Sequence, residues 1–156
     1  MDLPPFQRLL EEHRVDVYRF LVAAVGSQDA DDCFQETFLS ALRAYPRLRD
    51  GSNLRGWLFA IATNKAMDHW RASKRRPVPV ETLPERPGPE RADGRPELWA
   101  AVADLPEMQR AAVLHRYVLD RTYADVAAAL GITEEAARAN AYEGRKKLRA
   151  RQGAIA

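Results

Sequence analysis

The stretch TYADVAAALGITEEAARANAYEGRKKLR, residues 122–149, decides the fold class of this chain. Thr122 and Thr133 each precede a run of helical periodicity, at positions where a threonine side chain caps a helix. Asp125 follows Thr122 at capping-box spacing, and Gly131 suits the left-handed turn that ends a helix. The small or apolar residues of the two runs are Val126, Ala127, Leu130, Ile132, Ala137, Ala141, Gly144 and Leu148. This order of helix, short glycine turn and helix predicts a helix-turn-helix.

Five further helices are predicted upstream of this motif. Three run from Leu3 to Val25, from Asp29 to Tyr45 and from Leu54 to Lys74, and each has apolar residues near the 3.6-residue period. Two shorter helices follow Pro96: the first passes through Leu98 and Ala103, and the second starts after the break at Leu105-Pro106 and passes through Ala112 and Tyr117. Either Ser52 or Asn53 is suited to cap the third helix. No run of alternating apolar and polar residues indicates a strand, so the predicted fold class is all-α.

Proline marks the boundary between two small helical domains. Six of the ten prolines lie between Pro77 and Pro96, in a stretch without helical periodicity. This composition predicts a proline-rich linker over residues 76–96, which joins a first domain, 1–75, to a second domain, 97–156. Pro96 also suits the first position of a helix, and the second domain contains the helix-turn-helix.

The composition excludes several classes of protein. Of the 156 residues, 46% are hydrophobic and 29% are charged, which is typical of a globular domain. The sequence shows no apolar run near the roughly 20 residues that span a bilayer and no pattern of a signal peptide. We therefore expect no membrane insertion and a cytoplasmic location. The single cysteine, Cys33, excludes an intramolecular disulfide and a cysteine-rich zinc site, and we expect it in the core. The histidines are scattered, and the sequence shows no catalytic or phosphate-loop motif. We therefore expect no enzyme activity and no metal or cofactor.

The net charge of +2 conceals three clusters of like charge. Residues 65–76 hold five basic side chains and one acidic one, and residues 138–151 hold six basic and one acidic. Residues 29–36 hold four acidic side chains and no basic one. Basic clusters on helices suit phosphates, whereas an acidic cluster repels DNA and suits a basic protein surface. Each cluster taken alone is equally consistent with a solvated helix face.

Three segments resemble one protein family. They are DADDCFQETFLSALRAY (29–45), LRGWLFAIATNKAMDHWRASKRR (54–76) and DLPEMQRAAVLHRYVLDRTYADVAAALGITEEAARANAYEGRKKLR (104–149). In this order they are similar to the acidic helix, the helix that follows it and the DNA-recognition region of bacterial RNA polymerase sigma factors of the extracytoplasmic-function (ECF) class. With the linker they cover nearly the whole chain. The resemblance implies a sigma factor that binds core RNA polymerase and directs promoter-specific transcription initiation.

The resemblance implies three partners: core RNA polymerase, promoter DNA and an inhibitory anti-sigma factor. The acidic helix would dock on the clamp of the largest polymerase subunit, and a second contact would involve the flap region. The protein would be a monomer when free. The implied core-binding residues are Asp32, Gln35, Glu36, Phe38 and Leu39. For Phe38 and Leu39, packing in the core of the protein is the alternative.

The helix that follows would open the −10 element of the promoter and capture a flipped base. Asn64 stands at the base-reading position, where an amide offers both a donor and an acceptor. The wall of the base pocket would be formed by Leu48, Arg49, Asp50, Gly51 and Ser52. Phosphates would be held by Lys65, Arg71, Lys74, Arg75 and Arg76. The aromatic candidates for stacking on bases are Trp57, Phe59 and Trp70, although Trp57 is expected in the core.

The second helix of the helix-turn-helix, Thr133 to Arg149, would enter the major groove at the −35 element. Arg138 is the best candidate for reading a base or holding a phosphate. The implied −35 residues are Thr133, Glu134, Glu135, Arg138, Ala139, Tyr142, Arg145, Lys146 and Arg149. The chain departs from the family at two places. Residues 135–137 lack the Gly-Thr-Val that is common there, and Glu143 stands where the family commonly has a basic residue. We therefore expect a different −35 preference or weak −35 binding.

A stand-alone helix-turn-helix regulator is the alternative function. Such a protein would need a dimer interface to read two half-sites. It would also leave the acidic helix and the −10-like helix without a role. Binding to core RNA polymerase discriminates between the two functions.

Overall fold

The structure is a computed structural model that describes residues 3–49, 51–75 and 96–155, with the backbone alone for 74–75 and 152–155. All regular secondary structure in these ranges is helical, which confirms the all-α prediction. The α-helices are α1 (Phe6–Val25), α2 (Ser27–Ala44), α3 (Leu54–Arg75), α4 (Pro96–Ala103), α5 (Glu107–Val113), α6 (Tyr123–Leu130) and α7 (Glu134–Ile155). A 3₁₀ turn (Tyr45–Arg47) follows α2, and a π-helical turn (Leu114–Val118) extends α5.

The helix-turn-helix has the local hydrogen bonds that its sequence predicts. Thr122 Oγ1 accepts from the backbone N–H of Asp125 at 3.1 Å and so caps α6. Thr133 Oγ1 caps α7 by accepting from the N–H of Ala136 at 3.0 Å. Gly131 ends α6 at a φ of 66°, in the left-handed region that favours glycine. These bonds confirm the helix-turn-helix.

The other helix boundaries follow the prediction within a few residues. Asn53 caps α3, because its Oδ1 accepts from the N–H of Gly56 at 2.9 Å. The first helix begins at Phe6 instead of Leu3, after two prolines, and α7 continues to Ile155 beyond Arg149. The predicted linker lies outside the described residues except for its last residue, which opens α4 as proposed.

The first three helices pack around a core of aromatic and small residues. Phe20 of α1 and Phe59 of α3 are fully buried, with ring centroids 6.0 Å apart in an edge-to-face contact. Thr63 is also buried, and its hydroxyl donates to the carbonyl of Phe59 at 2.7 Å, one turn earlier in the same helix. Because these residues face inward, the adjacent Asn64 faces solvent.

Small side chains let α5 and α6 lie close to α7. Ala137 and Ala141 of α7 are fully buried against Val126 of α6. At Gly144, a Cβ would lie only 2.6 Å from Cγ2 of Val113 on α5. Glycine at this position therefore sets how closely α7 approaches α5, and the opposite face of α7 remains open to solvent.

The N-terminal block (α1 to α3) and the C-terminal block (α4 to α7) share one hydrophobic core. Leu114 of the π-helical turn and Ala129 of α6 belong to the same buried cluster as Phe20 and Leu58. Helix α6 packs along α3, and the π-helical turn packs on α1. The described part of the chain has no helix long and apolar enough to cross a bilayer.

Candidate functional site

The acidic surface is the exposed face of α2. Leu39 and Leu42 lie beside its carboxylates, and each is 51% exposed, which is high for leucine in a folded protein. Carboxylates beside exposed apolar side chains suit a basic protein partner, because charge steers the encounter and apolar burial supplies affinity. The exposed polar residues of this surface are Asp29, Asp31, Asp32, Gln35 and Glu36.

Phe38 lies beneath this surface instead of on it. It is 7% exposed, and its ring centroid lies 4.7 Å from that of Phe34 and 6.5 Å from that of Phe6. Phe38 therefore packs in the core, which was the alternative interpretation of this residue, whereas Leu39 lies at the surface. Sequence reasoning missed Leu42 as a docking candidate; its spacing of three residues from Leu39 on one helix was the available signal.

A polar cavity of about 400 Å³ lies between the acidic surface and α3. Lys65 lines it together with Asp32 and Glu36, so this lysine faces the acidic residues of α2. His69 closes one side, with Nε2 3.0 Å from Oδ2 of Asp29. The described ranges contain no group of acidic, histidine or cysteine side chains arranged to hold a metal ion.

Cys33 is a buried residue of this region, as expected from its sequence position. It is 6% exposed and belongs to the core cluster. Burial, with a smaller contribution from neighbouring carboxylates, raises the pKa of its thiol to about 11. The thiol is therefore protonated near neutral pH and a poor nucleophile.

The predicted −10 residues lie in the 48–52 loop and on the exposed side of α3, called here the −10 surface. Arg49, Ser52 and Asn64 are exposed, and Leu48 and Gly51 are partly buried. Asn64 thus offers its amide to solvent from a rigid helix. The predicted residues Asp50 and Arg76, and the side chains of Lys74 and Arg75, lie outside the described residues.

Arg71 of the −10 surface already has a carboxylate partner in the other block. Its Nη2 lies 2.8 Å from Oε2 of Glu107, and its Nε lies 3.0 Å from Oε1, which gives a two-pronged ion pair. Asp68 Oδ1 is 3.7 Å from Nη1 on the same helix. A DNA phosphate at Arg71 would have to replace Glu107.

Two of the three aromatic candidates for base stacking lie in the core. Phe59 is fully buried, and Trp70 is 8% exposed, with its indole Nε1 donating to the carbonyl of Ala24 at 2.8 Å. Neither ring is open to a base in this conformation. Trp57 is partly buried, and its ring centroid lies 6.1 Å from that of Tyr45.

The predicted −35 residues lie on the outward side of α7, called here the −35 face. Tyr142 is 62% exposed, and the side chain of Arg138 is 56% exposed. The guanidinium of Arg138 lies 4.9 Å above the ring of Tyr123 and 3.7 Å from Glu134, so it is held near the start of α7. The other predicted −35 residues on this exposed side are Thr133, Glu134, Glu135, Ala139, Arg145, Lys146 and Arg149.

His115 joins the helix-turn-helix block to α1 and α3. Its ring stacks on Phe20 with centroids 4.5 Å apart, and its Nε2 lies 2.9 Å from Thr63 Oγ1. Since Thr63 gives its own proton to a backbone carbonyl, His115 donates through Nε2–H, and its buried Nδ1 has no hydrogen-bond partner in the described ranges. Burial, and then the nearby Arg121, lower the pKa of His115 to about 3, so the ring is neutral.

Arg121 lies beside His115 in the same junction. It is only 3% exposed, and its guanidinium lies 4.1 Å above the ring of Phe59. Its Nε and Nη1 atoms are buried and lack hydrogen-bond partners among the described residues. Burial, more than the nearby Arg55, lowers the pKa of this guanidinium to about 10. Sequence reasoning missed both His115 and Arg121, because nothing in their local pattern signals a contact with α3.

Two conserved regions of one protein family match this chain, one after the other along the sequence. Sigma-70 region 2 matches residues 9–76, which contain the acidic surface and most of the −10 surface. Sigma-70, region 4 matches residues 95–148, which contain the helix-turn-helix.

Curated relatives match the chain over most of its length. The ECF RNA polymerase sigma factor SigE of Mycolicibacterium smegmatis is 33% identical over 160 residues, which cover 94% of this chain and 61% of SigE. The ECF RNA polymerase sigma factor SigD of Mycobacterium tuberculosis is 35% identical over 166 residues, which cover 95% of this chain and 77% of SigD. The chain therefore spans less than two thirds of SigE.

Two solved structures share the fold. CnrH, in complex with the cytosolic domain of CnrY, has a TM-score of 0.73 at 22% identity and covers 97% of this chain and 89% of CnrH. The sigma factor RpoE of Bartonella quintana, in complex with the anti-sigma factor NepR, has a TM-score of 0.70 at 22% identity. That match covers 94% of this chain and 95% of RpoE.

Proposed function

Because this chain belongs to the ECF class of RNA polymerase sigma factors, we propose that it binds core RNA polymerase and directs transcription initiation at specific promoters. One observation carries the proposal: a single chain holds an acidic docking surface and, further on, a basic helix-turn-helix. Sigma factors are regulatory proteins, so the bond-forming chemistry of RNA synthesis belongs to the polymerase. We place the protein in the cytoplasm with the polymerase.

The acidic surface is the proposed contact with the polymerase clamp. Asp32, Gln35 and Glu36 present charge and hydrogen-bonding groups, and Leu39 and Leu42 present apolar area, on one face of α2. This combination gives a basic partner both steering and burial. Phe38 supports the face from below by packing in the core.

Residues 1–75 form the proposed domain for the −10 element. Asn64 would read a base flipped out of the melted strand, against the wall formed by the 48–52 loop. Arg71 and the basic end of α3 would hold phosphates. Lys65, which lines the cavity with Asp32 and Glu36, has a weaker case for a phosphate contact than Arg71.

Residues 97–156 form the proposed domain for the −35 element. The exposed start of α7 carries Arg138 and two glutamates, and its later turns carry Arg145, Lys146 and Arg149. In a helix that enters the major groove, the first turns meet base edges and the later basic residues meet the backbone. This arrangement predicts sequence reading by Arg138 and general affinity from the later residues.

Reading both promoter elements requires the two blocks to separate. The −10 and −35 elements lie 25 base pairs apart by their names, which is about 85 Å along a straight duplex at 3.4 Å per base pair. In this structure His115 of the second block lies 2.9 Å from Thr63 of the first. We therefore assign the described conformation to the free protein and propose that promoter binding opens it.

We also propose an anti-sigma factor as a third partner. The solved structures of CnrH and of Bartonella quintana RpoE are complexes with CnrY and with the anti-sigma factor NepR, and both share this fold. An inhibitor of this kind would compete for the surfaces that bind polymerase or DNA. A stand-alone regulator is disfavoured, because it would give the acidic surface no role.

The test of the proposal is a charge reversal on the acidic surface. We expect Asp32→Lys with Glu36→Lys to weaken core polymerase binding by more than about 30-fold, equivalent to about 2 kcal/mol. Both residues are exposed, so the helical circular dichroism should not change. The matched control reverses Glu11 and Glu12, two exposed acids of α1, and should keep its affinity. Equal affinity of all three chains for core polymerase would refute the proposal.

A further inference from the structure

The junction between the two blocks contains polar groups that its closure leaves without partners. Two guanidinium nitrogens of Arg121 and the Nδ1 of His115 are buried there and lack hydrogen-bond partners among the described residues. Among the described residues no carboxylate forms an ion pair with Arg121, although Asp125 and Asp16 lie near enough to favour its charged form. A buried polar group without a partner costs free energy, and a buried charge costs more.

Opening the junction would return these groups to water. Arg121 lies in the segment between the π-helical turn and α6, and the ring that it covers, Phe59, belongs to α3. Separation of the blocks therefore removes both the ring contact and the burial of the guanidinium. Water then supplies the hydrogen bonds that the closed state withholds, so the charge of Arg121 favours the open state.

Other contacts of the junction favour closure. The ion pair between Arg71 and Glu107, the stack of His115 on Phe20, and the burial of Ala129 all exist only while the blocks are together. These contacts favour the closed state and Arg121 favours the open state, so they act in opposite directions on the equilibrium between the two.

We propose that Arg121 is a tuning residue, which keeps the closed contact between the two blocks weak enough to open for polymerase and promoter. This inference rests on the proposed function, because opening matters only for a protein that must read two separated elements. An apolar side chain at this position would remove the buried charge and keep area against Phe59, so the closed state would gain population. A purely stabilising cation–π contact predicts the opposite result, since its loss would open the junction.

The opening equilibrium can be measured by thiol labelling. Ala129 is 4% exposed and lies in the core shared by the blocks, so Ala129→Cys in a Cys33→Ala background becomes accessible when they separate. We expect Arg121→Leu to slow labelling by an aromatic disulfide reagent about tenfold. Arg121→Met, with an unbranched chain over Phe59, should act in the same direction.

Two control variants calibrate the labelling rate. Glu107→Ala removes the ion pair to Arg71 and should accelerate labelling. Arg14→Leu makes the same chemical change as Arg121→Leu at an exposed position of α1 and should leave the rate unchanged. The inference is overturned if Arg121→Leu and Arg121→Met label as fast as the parent chain or faster. It is also overturned if both lose their helical circular dichroism, because Arg121 would then be required for folding.

The consequence for function is measured separately, as the association rate with core polymerase. We expect Arg121→Leu, in the otherwise unchanged full chain, to associate about tenfold more slowly, because only the open fraction is competent to bind. Slower labelling with an unchanged association rate would refute a role of closure in polymerase binding. If the parent chain fails to bind core polymerase at all, the proposed function fails, while the labelling experiment still decides what Arg121 does in the junction.

Discussion

Asn64 is the residue whose proposed role depends least on the surrounding fold. It is exposed on α3, while its neighbour Thr63 is fully buried, so Asn64→Ala should leave the fold unchanged. We expect the substitution to cost about 1–3 kcal/mol in promoter opening and little in initial binding, because the base is met only after the duplex melts. Open-complex formation on duplex promoters measures the loss, and a premelted template should restore most of it. Unimpaired opening on duplex DNA would remove Asn64 from the site.

Arg138 differs from the other basic residues of α7 in being held near the start of the helix by Glu134 and Tyr123. We expect Arg138→Ala to change the preferred base at one position of the −35 element by about 1–3 kcal/mol. Lys146→Ala and Arg149→Ala should instead weaken all promoters alike and reduce the salt dependence by about one unit of slope each.

Selection from a promoter library at two salt concentrations separates these outcomes. A uniform loss in Arg138→Ala would identify a phosphate contact there. We would then expect base reading by Glu135 or Tyr142 of the −35 face, or by the neighbouring exposed residue Glu143.

At the scale of the elements, the approach of α7 to α5 depends on Gly144. A Cβ at this position would lie 2.6 Å from Cγ2 of Val113 and 3.3 Å from the carbonyl oxygen of Gln109. We therefore expect Gly144→Ala to destabilise the fold by about 1–3 kcal/mol, despite the higher helix propensity of alanine. Urea unfolding measures the change.

The companion variant for this prediction is Val113→Ala. It removes the methyl group nearest to the new Cβ, so the double variant should be less destabilised than the sum of the two single variants. Additive losses would show that the crowding at Gly144 has another source.

At the scale of the whole molecule, His115 links stability to pH. Its pKa is about 3 in the folded chain against an ordinary 6.5, so below pH 6.5 the unfolded chain binds a proton that the folded chain excludes. The contribution of neutral His115 to the free energy of unfolding is fully present above pH 6.5. It falls by up to about 1.4 kcal/mol per pH unit as the pH drops towards 3.

Urea unfolding as a function of pH, with His115→Phe for comparison, measures this effect. Phenylalanine keeps the stack on Phe20 but cannot take up a proton. Burial also lowers the pKa of His13, but His13 is present in both chains, so the difference between their pH profiles isolates His115. Identical profiles would show that His115 does not carry the pH dependence.

Several features of the candidate site follow from local sequence. The caps at Thr122 and Thr133 and the turn at Gly131 are all as predicted, and the small residues Ala137 and Ala141 of the predicted helical run are buried. Each depends on residues within about one helical turn, where backbone geometry fixes which groups meet. The exposure of the −35 face follows from the same periodicity.

The surroundings of two predicted site residues, Phe38 and Lys65, depend on distant partners. The resemblance left Phe38 open between docking and core packing, and Phe6 of α1, with its ring centroid 6.5 Å away, is one of the residues that enclose it. Lys65 belongs to a basic run in sequence, but the packing of α3 beside α2 places it in a cavity with acidic residues.

The amino-acid sequence by itself determined the helices of the described ranges, the helix-turn-helix and the three charged clusters, because caps, periodicity and charge act between neighbours in the chain. Only the tertiary structure decided that the two blocks close on each other. Arg71 pairs with Glu107 across 36 residues, and His115 meets Thr63 across 52. Such contacts depend on which helix faces pack together. Burial then sets the free-energy cost of each polar group without a partner. The proposed roles of Arg121 and His115 therefore depend on the packing of the helices.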